Sequence, residues 1–240
     1  MSRSGESAAT GQAAALAAAP RRAPLPATRW IYREINCYNG MALGDLEIEV
    51  VSALPLILRH TRVRRTGNAG SIAAPDGPLE ARYSEPWSVL IDPWFDQGLR
   101  FAAPVPLLPP TLQVGARIDT ATHFTLDGQS GNYGWQQRLQ VIRTETLATP
   151  AGRFDCVVLE RDIRFESPDP FSFDRQRRET RWYAPTIDGW VRHEWTGDYL
   201  ERGHLDDRFG RRREDWLRLE LQAYMPAPIG SAGGQHRDRP

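Results

Sequence analysis

Two-residue alternation of apolar and polar side chains is the feature that most restricts how this chain can fold. Leu46, Ile48 and Val50 alternate with two glutamates, which places the apolar side chains on one face of a strand and the carboxylates on the other. Similar alternation recurs in three later segments, at 118–126, 135–146 and 217–223. Glycine and proline mark the turns, and a helical period is almost absent. The pattern predicts a mainly β protein, a curved antiparallel sheet that forms a barrel or half-barrel with few or short helices.

The turn chemistry supports this prediction. Asn39 and Gly40 follow a first strand-like run and indicate a hairpin with the next run. In segment 149–162, TPAGRFDCVVLERD, Pro150 presets φ for a turn and Gly152 accepts a positive φ without steric cost. Both faces of the strand that follows are partly apolar, so we expect it to be covered on both sides within a strongly curved sheet.

The length of 240 residues suits one β domain with tails. We place that domain at 29–225, after a small, polar, proline-broken leader or tether at 1–28 and before a disordered tail at 226–240. An alanine patch in the leader faintly resembles a secretory signal. No segment approaches the roughly 20 apolar residues of a membrane-spanning helix, so no transmembrane segment is predicted. Residues 86–110 are predicted as a proline- and aromatic-rich insertion.

The charge balance excludes several classes of function. The chain has 30 basic and 30 acidic residues, which removes the electrostatic excess expected of a general nucleic-acid binder. All the basic residues are arginine, so Schiff-base lysine chemistry and a phosphate-binding Walker lysine are also excluded. The arginines at 175–181 are predicted as outward strand positions that keep a sheet edge soluble.

Cys37 and Cys156 are the only cysteines, and both lie in apolar strand-like surroundings. Their spacing matches no structural zinc site. Two buried thiols are one interpretation. A disulfide between them is the other, and it would require an oxidising compartment.

One part of the chain resembles known proteins. The run Thr-Pro-Ala-Gly-x-Phe-Asp at 149–155, its return strand, and Thr-Arg-Trp-Tyr-Ala-Pro at 180–185 leading on through Gly189 resemble an uncharacterised group of bacterial envelope proteins. These are curved antiparallel β-sheet proteins with a distant architectural similarity to the lipoprotein carriers LolA and LolB. The resemblance implies a periplasmic or cell-envelope location, with a cytoplasmic location as the alternative. The chain departs from that group in having no lipobox cysteine near its start, which argues against lipid anchoring. It carries over no catalytic residue.

Candidate catalytic and metal-binding groups are few. His204 and Asp206 would share a face of a strand, but their densely charged segment is typical of a solvated loop, so no metal site is predicted. Asp92 and Asp96 are paired carboxylates that a hydrolase could use. His193 is predicted as a core histidine on the aromatic side of its strand. No cofactor is predicted.

The aromatic residues of 86–110 suggest either a plug for the open end of the sheet or a lid over an apolar cavity. Our leading hypothesis is a non-enzymatic envelope protein that binds a hydrophobic ligand, or a protein partner, on the concave face of the sheet. A scaffold with a filled core and a hydrolase are the alternatives, and the oligomeric state is left open. The predicted ligand-binding residues are Trp87, Trp94, Phe95, Phe101, Trp135, Trp182 and Trp195.

Overall fold

The computed structural model describes residues 22–64, 77–93, 98–202 and 209–228. In this part of the chain there are thirteen strands and no α-helix; one 3-10 turn, Pro185–Ile187, joins two strands. The strands are β1 (Arg29–Asn36), β2 (Ala42–Ala53), β3 (Leu56–Arg64), β4 (Leu79–Glu85), β5 (Ser88–Asp92), β6 (Leu99–Pro106), β7 (Arg117–Leu126), β8 (Tyr133–Thr149), β9 (Gly152–Phe165), β10 (Ser172–Ala184), β11 (Gly189–Arg202), β12 (Phe209–Arg213) and β13 (Leu217–Met225).

These strands close into an antiparallel barrel. Consecutive strands pair from β1 to β11, β11 pairs with β13, and β13 pairs with β1, which makes a ring of twelve. Strand β12 lies beside the ring and pairs with the last five residues of β11. Closure removes the free edges that an open sheet would expose. The predicted mainly β, curved antiparallel fold is therefore confirmed.

The turn at 149–152 and strand β9, which follows it, have the features that the sequence predicts. Thr149 pairs with Gly152, which has a φ of 135° and so makes the tight turn that the sequence predicts. Beyond it, side chains on both faces of β9 are fully buried, as Cys156 and Leu159 are. Val158, on the same face as Cys156, pairs with Trp182 of β10. The expected two-sided coverage is present.

An apolar plug closes one end of the barrel. Trp87, in the turn between β4 and β5, has a φ of 65° and packs its ring against Tyr183 and Trp190. Leu107 and Leu108, which follow β6, are buried at the same end. This end also holds the starts of β1 and β11 and the end of β13.

Residues 86–110, predicted as an insertion, belong largely to the barrel wall. They contain two barrel strands, β5 and β6, and only Trp87 and the residues after Pro106 belong to the plug. A bulge between Val89 and Ile91 and the prolines of β6 interrupt the alternation, which is why the sequence shows no clean strand period there.

The two cysteines are free thiols. Cys156 is buried, and burial raises the pKa of its thiol to about 12. Cys37 is partly exposed.

The predicted leader and tail lie partly within the structure. Residues 22–28 and 226–228 form no strand, yet Ala27 donates a backbone hydrogen bond to Val50 and Val50 donates one to Thr28. The chain is therefore fixed to the barrel just before β1. The rest of the leader, residues 1–21, and the rest of the tail, 229–240, lie outside the described residues. The described part contains no helix long and apolar enough to cross a membrane.

We predict that Gly189→Ala destabilises the barrel. A Cβ at this position would lie 2.5 Å from Nε1 of Trp30, a core side chain that is 2% exposed and cannot move aside. Overpacking of this kind typically costs about 1–3 kcal/mol. Urea unfolding monitored by circular dichroism would measure the loss.

Gly210→Ala is the matched control for this change. No atom lies within 4 Å of a Cβ built on Gly210, so we expect the free energy of unfolding to stay within about 0.5 kcal/mol of the parent. Equal stability of the two variants would contradict the packing described for Trp30.

Candidate functional site

Charged side chains line the inside of the barrel on β9, β10 and β11. Arg161 of β9 pairs with Glu179 of β10, and Arg181 of β10 pairs with His193 of β11. Tyr183, on the same face of β10, contacts the plug, so this face points inward. The arginines of β10 at 177 and 181 were predicted to point outward; that prediction is wrong, because both are buried in the interior.

Glu179 lies at the centre of a buried ion network. Its carboxylate, 1% exposed, has Oε2 at 2.8 Å from Nη2 of Arg181, 3.2 Å from Nη1 of Arg161 and 3.4 Å from Nε2 of His193. Gln137 accepts a 2.7 Å hydrogen bond from Nε of Arg161 and donates another to the carbonyl of Pro106. Two guanidinium groups thus share one carboxylate.

The protonation states follow from this geometry. Burial alone would raise the pKa of Glu179, but Arg181 and Arg161 outweigh burial and hold that pKa well below its usual range. Burial, aided by Arg181, lowers the pKa of His193 to about 4, and burial lowers the pKa of Arg161 to about 10. At neutral pH the network therefore holds charged arginines, a charged glutamate and a neutral histidine.

A second shared carboxylate lies nearer the end of the barrel opposite the plug. Nε of Arg177 donates a 2.9 Å hydrogen bond to Glu214, and Nη1 of Arg175 lies 3.7 Å from the other oxygen of the same carboxylate. Gly197 makes this approach possible, because a Cβ there would lie 2.6 Å from that carboxylate. The guanidinium of Arg175 also stacks 4.6 Å from the ring centre of Tyr199.

Asp92 completes this set of charges. It ends β5 at the end of the barrel opposite the plug, is partly exposed, and lies within electrostatic reach of Arg181 and Arg161. Burial raises the pKa of its carboxyl group, and the arginines oppose that rise. We call Asp92, Arg161, Arg175, Arg177, Glu179, Arg181, His193 and Glu214 the charged layer.

A cavity of about 140 Å³ lies at the end of the barrel opposite the plug, on the side of β3 and β4. One of its lining residues, Pro93, directly follows Asp92. Another, His60, has a buried Nε2 atom with no hydrogen-bond partner in the described part of the chain, and burial lowers the pKa of His60 to about 4. The lining residues are His60, Thr61, Arg62, Gly77, Pro78, Leu79 and Pro93.

The predicted ligand-binding aromatics occupy three different environments. Phe101 and Trp135 are buried in one inner-wall cluster, with ring centres 5.1 Å apart. Trp195 is partly exposed at the charged layer and stacks on His193 at 4.7 Å. Trp87 is part of the plug.

Trp182 lies on the outer face of the barrel. Its indole donates a hydrogen bond to Glu145, and Arg192 lies 5.4 Å from its ring centre. It therefore does not line the interior. Trp94 and Phe95 lie outside the described residues.

The structure does not bring the other candidate catalytic groups together at one described site. Asp92 belongs to the charged layer, whereas Asp96, His204 and Asp206 lie outside the described residues. His193 does lie on the aromatic side of its strand, as predicted, and its polar neighbour there is the carboxylate of Glu179. In the described ranges, no group of three or more His, Cys, Asp or Glu side chains could hold a metal ion.

The comparisons with known proteins show a similarity of fold alone. No family model matches the chain, and no curated protein matches it. A "putative lipoprotein" from Parabacteroides distasonis has a similar structure, with a TM-score of 0.50 and 13% identity over 85% of this chain and 97% of that chain. A "putative exported protein with YmcC-like fold" from Bacteroides fragilis gives a TM-score of 0.45 and 14% identity over 86% and 99%. Neither structure bears on LolA or LolB, so that similarity stays a prediction.

We predict that the free energy of unfolding falls as pH falls from 6.5 to about 4. The folded-state pKa of His193 is below the ordinary histidine value of 6.5, so the unfolded chain takes up this proton first and acid favours unfolding. The stabilisation is complete above pH 6.5, and its loss is on the order of 3 kcal/mol across the window. His193→Gln should flatten this dependence in urea titrations at pH 7 and 4.5, whereas His123→Gln, at an exposed position, should leave it unchanged. An unaltered slope in His193→Gln would contradict a histidine that is neutral in the folded protein at pH 7.

A second prediction concerns Glu179→Gln. The amide leaves Arg161 and Arg181 without their shared counter-charge inside the barrel, which should cost about 3–5 kcal/mol of unfolding free energy. Glu80→Gln is the control, because Glu80 pairs with Arg82 at the surface, where ion pairs contribute little. Chemical denaturation at pH 7 would compare the unfolding midpoints of the two variants. Similar midpoints would show that Glu179 does not stabilise the buried arginines.

Proposed function

We propose that the protein is a non-enzymatic binding protein of the bacterial cell envelope, and that it takes an apolar or aromatic ligand into the half of its barrel opposite the plug. The observation that carries this proposal is the difference between the two ends. One end is filled by Trp87 and the leucines after β6, whereas the other has a cavity and partly exposed inward-facing rings at Trp195 and Tyr199.

The state of the charged groups supports a binding role over a catalytic one. A general base needs a pKa near the working pH, but two arginines hold the Glu179 carboxylate ionised and the adjacent His193 is neutral. These groups act as counter-ions rather than proton carriers. The envelope location is supported by the shared fold of the Parabacteroides distasonis protein, whose name describes a lipoprotein.

The proposal predicts binding of N-phenyl-1-naphthylamine, a neutral apolar probe whose fluorescence rises in apolar sites. We expect saturable binding to the parent protein and about tenfold weaker binding to Trp195→Ala, because that change removes an inward-facing ring whose burial stabilises the probe. Trp216→Ala is the control, since Trp216 lies on the outer surface, where its indole donates to Glu194.

The same titration separates the proposal from the filled-scaffold alternative. That alternative is favoured by the complete burial of the plug and of Trp135. Absence of saturable fluorescence would overturn the binding proposal and favour the scaffold, as would equal affinity in the parent protein and Trp195→Ala. Native mass spectrometry of protein from its own host would show a co-purifying ligand as mass above the 27.1 kDa chain.

A further inference from the structure

We infer that one side of strand β7 pairs with the same side of a second copy of this chain, so that the protein forms a twofold dimer by strand addition. This surface lies in the barrel wall and takes no part in the proposed ligand site. Three features support the pairing: the register of β6 with β7, the direction of the β7 backbone groups, and side-chain charges that match under twofold symmetry.

One side of β7 is largely unpaired in the described ranges. β6 pairs with β7 through only three residues of each strand, Leu99–Phe101 with Phe124–Leu126. On the other side, β8 pairs with β7 as far as Arg117. Residues 117–123 therefore have a partner strand on one side only, and we call them the β7 edge.

The sequence of β6 explains why this strand leaves β7. Pro104 and Pro106 have no N–H group and cannot donate to a neighbouring strand. The segment bends towards the inner face of the wall instead, where Ala103 donates a 3.2 Å backbone hydrogen bond to Oγ1 of Thr122. The carbonyl of Pro106 likewise accepts a hydrogen bond from the buried side chain of Gln137. The β7 edge is left without a strand beside it.

The exposure of the side chains agrees with this gap. Ile118 and Thr120 face inward and pair with Leu139 and Gln137 of β8. The two β8 side chains are buried, whereas Ile118 and Thr120 are partly exposed. An incoming strand therefore has access to the inner as well as the outer face of the β7 edge.

The backbone groups that face the gap form a regular row. Asp127 donates a hydrogen bond to the carbonyl of Gly98 on the β6 side, and Val141 of β8 donates one to the carbonyl of Ala116. The register shows no shift along β7, so its odd-numbered residues point their N–H and C=O groups to the β6 side. Such a row of donors and acceptors is a template for another strand.

Twofold symmetry selects the register of the pairing. Two identical strands that pair antiparallel are related by a twofold axis. An axis at Ile118 places Arg117 of each copy opposite Asp119 of the other and brings the two Ile118 side chains together, and cross-strand pairs of both kinds are stabilising. An axis one residue further along would place two Asp119 carboxylates opposite each other. Arg117 and Asp119 pair within one copy and are 45% and 55% exposed, so both can also reach the facing strand.

Sedimentation velocity of the full chain at about 1 to 100 µM tests the pairing. We expect the mass to rise with concentration from the 27.1 kDa of one chain towards twice that value, because a short strand pair gives only a small interface. The mass of one chain at every concentration would overturn the inference.

Arg117→Asp and Asp119→Arg test the register. Each variant alone places two like-charged pairs across the axis, so its dimerisation should weaken at least about tenfold. An equimolar mixture of the two variants restores opposite charges at both positions, and the heterodimer should form with the affinity of the parent protein. Recovery in the mixture also shows that both variants are folded.

Asp162→Arg is the control for these changes. Asp162 pairs with Arg178 on the outer face of β9, which has a partner strand on each side, so we expect parental dimerisation. Dimerisation of Arg117→Asp or Asp119→Arg at parental strength would overturn the register, and so would failure of their mixture to dimerise.

Amide hydrogen exchange distinguishes a second copy from cover by the same chain. The amides of Arg117 and Asp119 point to the gap, so their protection should increase with protein concentration. Protection of these amides that is equal at all concentrations would show that another part of the same chain occupies the β7 edge, and would overturn the inference.

Discussion

The volume enclosed by twelve strands is the constraint on which the rest of this structure depends. Eight strands already enclose a space that side chains just fill, and the diameter of a barrel grows with the number of strands. A ring of twelve cannot be filled by aliphatic side chains alone. The chain meets this requirement at one end with Trp87 and the segment after β6, and in the middle with arginines on β9 and β10.

The arginines fill space at an electrostatic cost that the network must offset. Moving a guanidinium out of water is unfavourable unless it is paired and hydrogen-bonded. Glu179 pairs with two of them, and Gln137 bonds to Arg161 and to the backbone of β6. Such a network fixes the relative position of three neighbouring strands, because each charge lacks its counter-charge if one strand shifts. The network therefore determines how these strands are arranged more than it adds to the stability of the fold.

The alternation of apolar and polar residues limits how much of the fold and of the charged layer could be predicted from the sequence. Alternation identified β2, β7, β8 and β13, and it predicted the curved antiparallel class. It does not show which of two faces is the inner one, so the arginines of β10 were placed on the outside and Trp182 on the inside. The bulge between Trp182 and Tyr183 shifts the pairing with β11 by one residue at this point. The shared carboxylates were beyond sequence reasoning, because Glu179 meets Arg161 and His193 through a strand register that alternation does not give, and Glu214 reaches Arg177 across Gly197 of β11.

The register between β1 and β13 determines how the barrel can be oriented. Arg29 pairs with Met225, so the two chain ends leave the ring side by side, next to Trp87 and opposite the charged layer. Anything joined to either chain end would attach the barrel by the end that the plug closes. The end that carries the charged layer would then face away from the point of attachment.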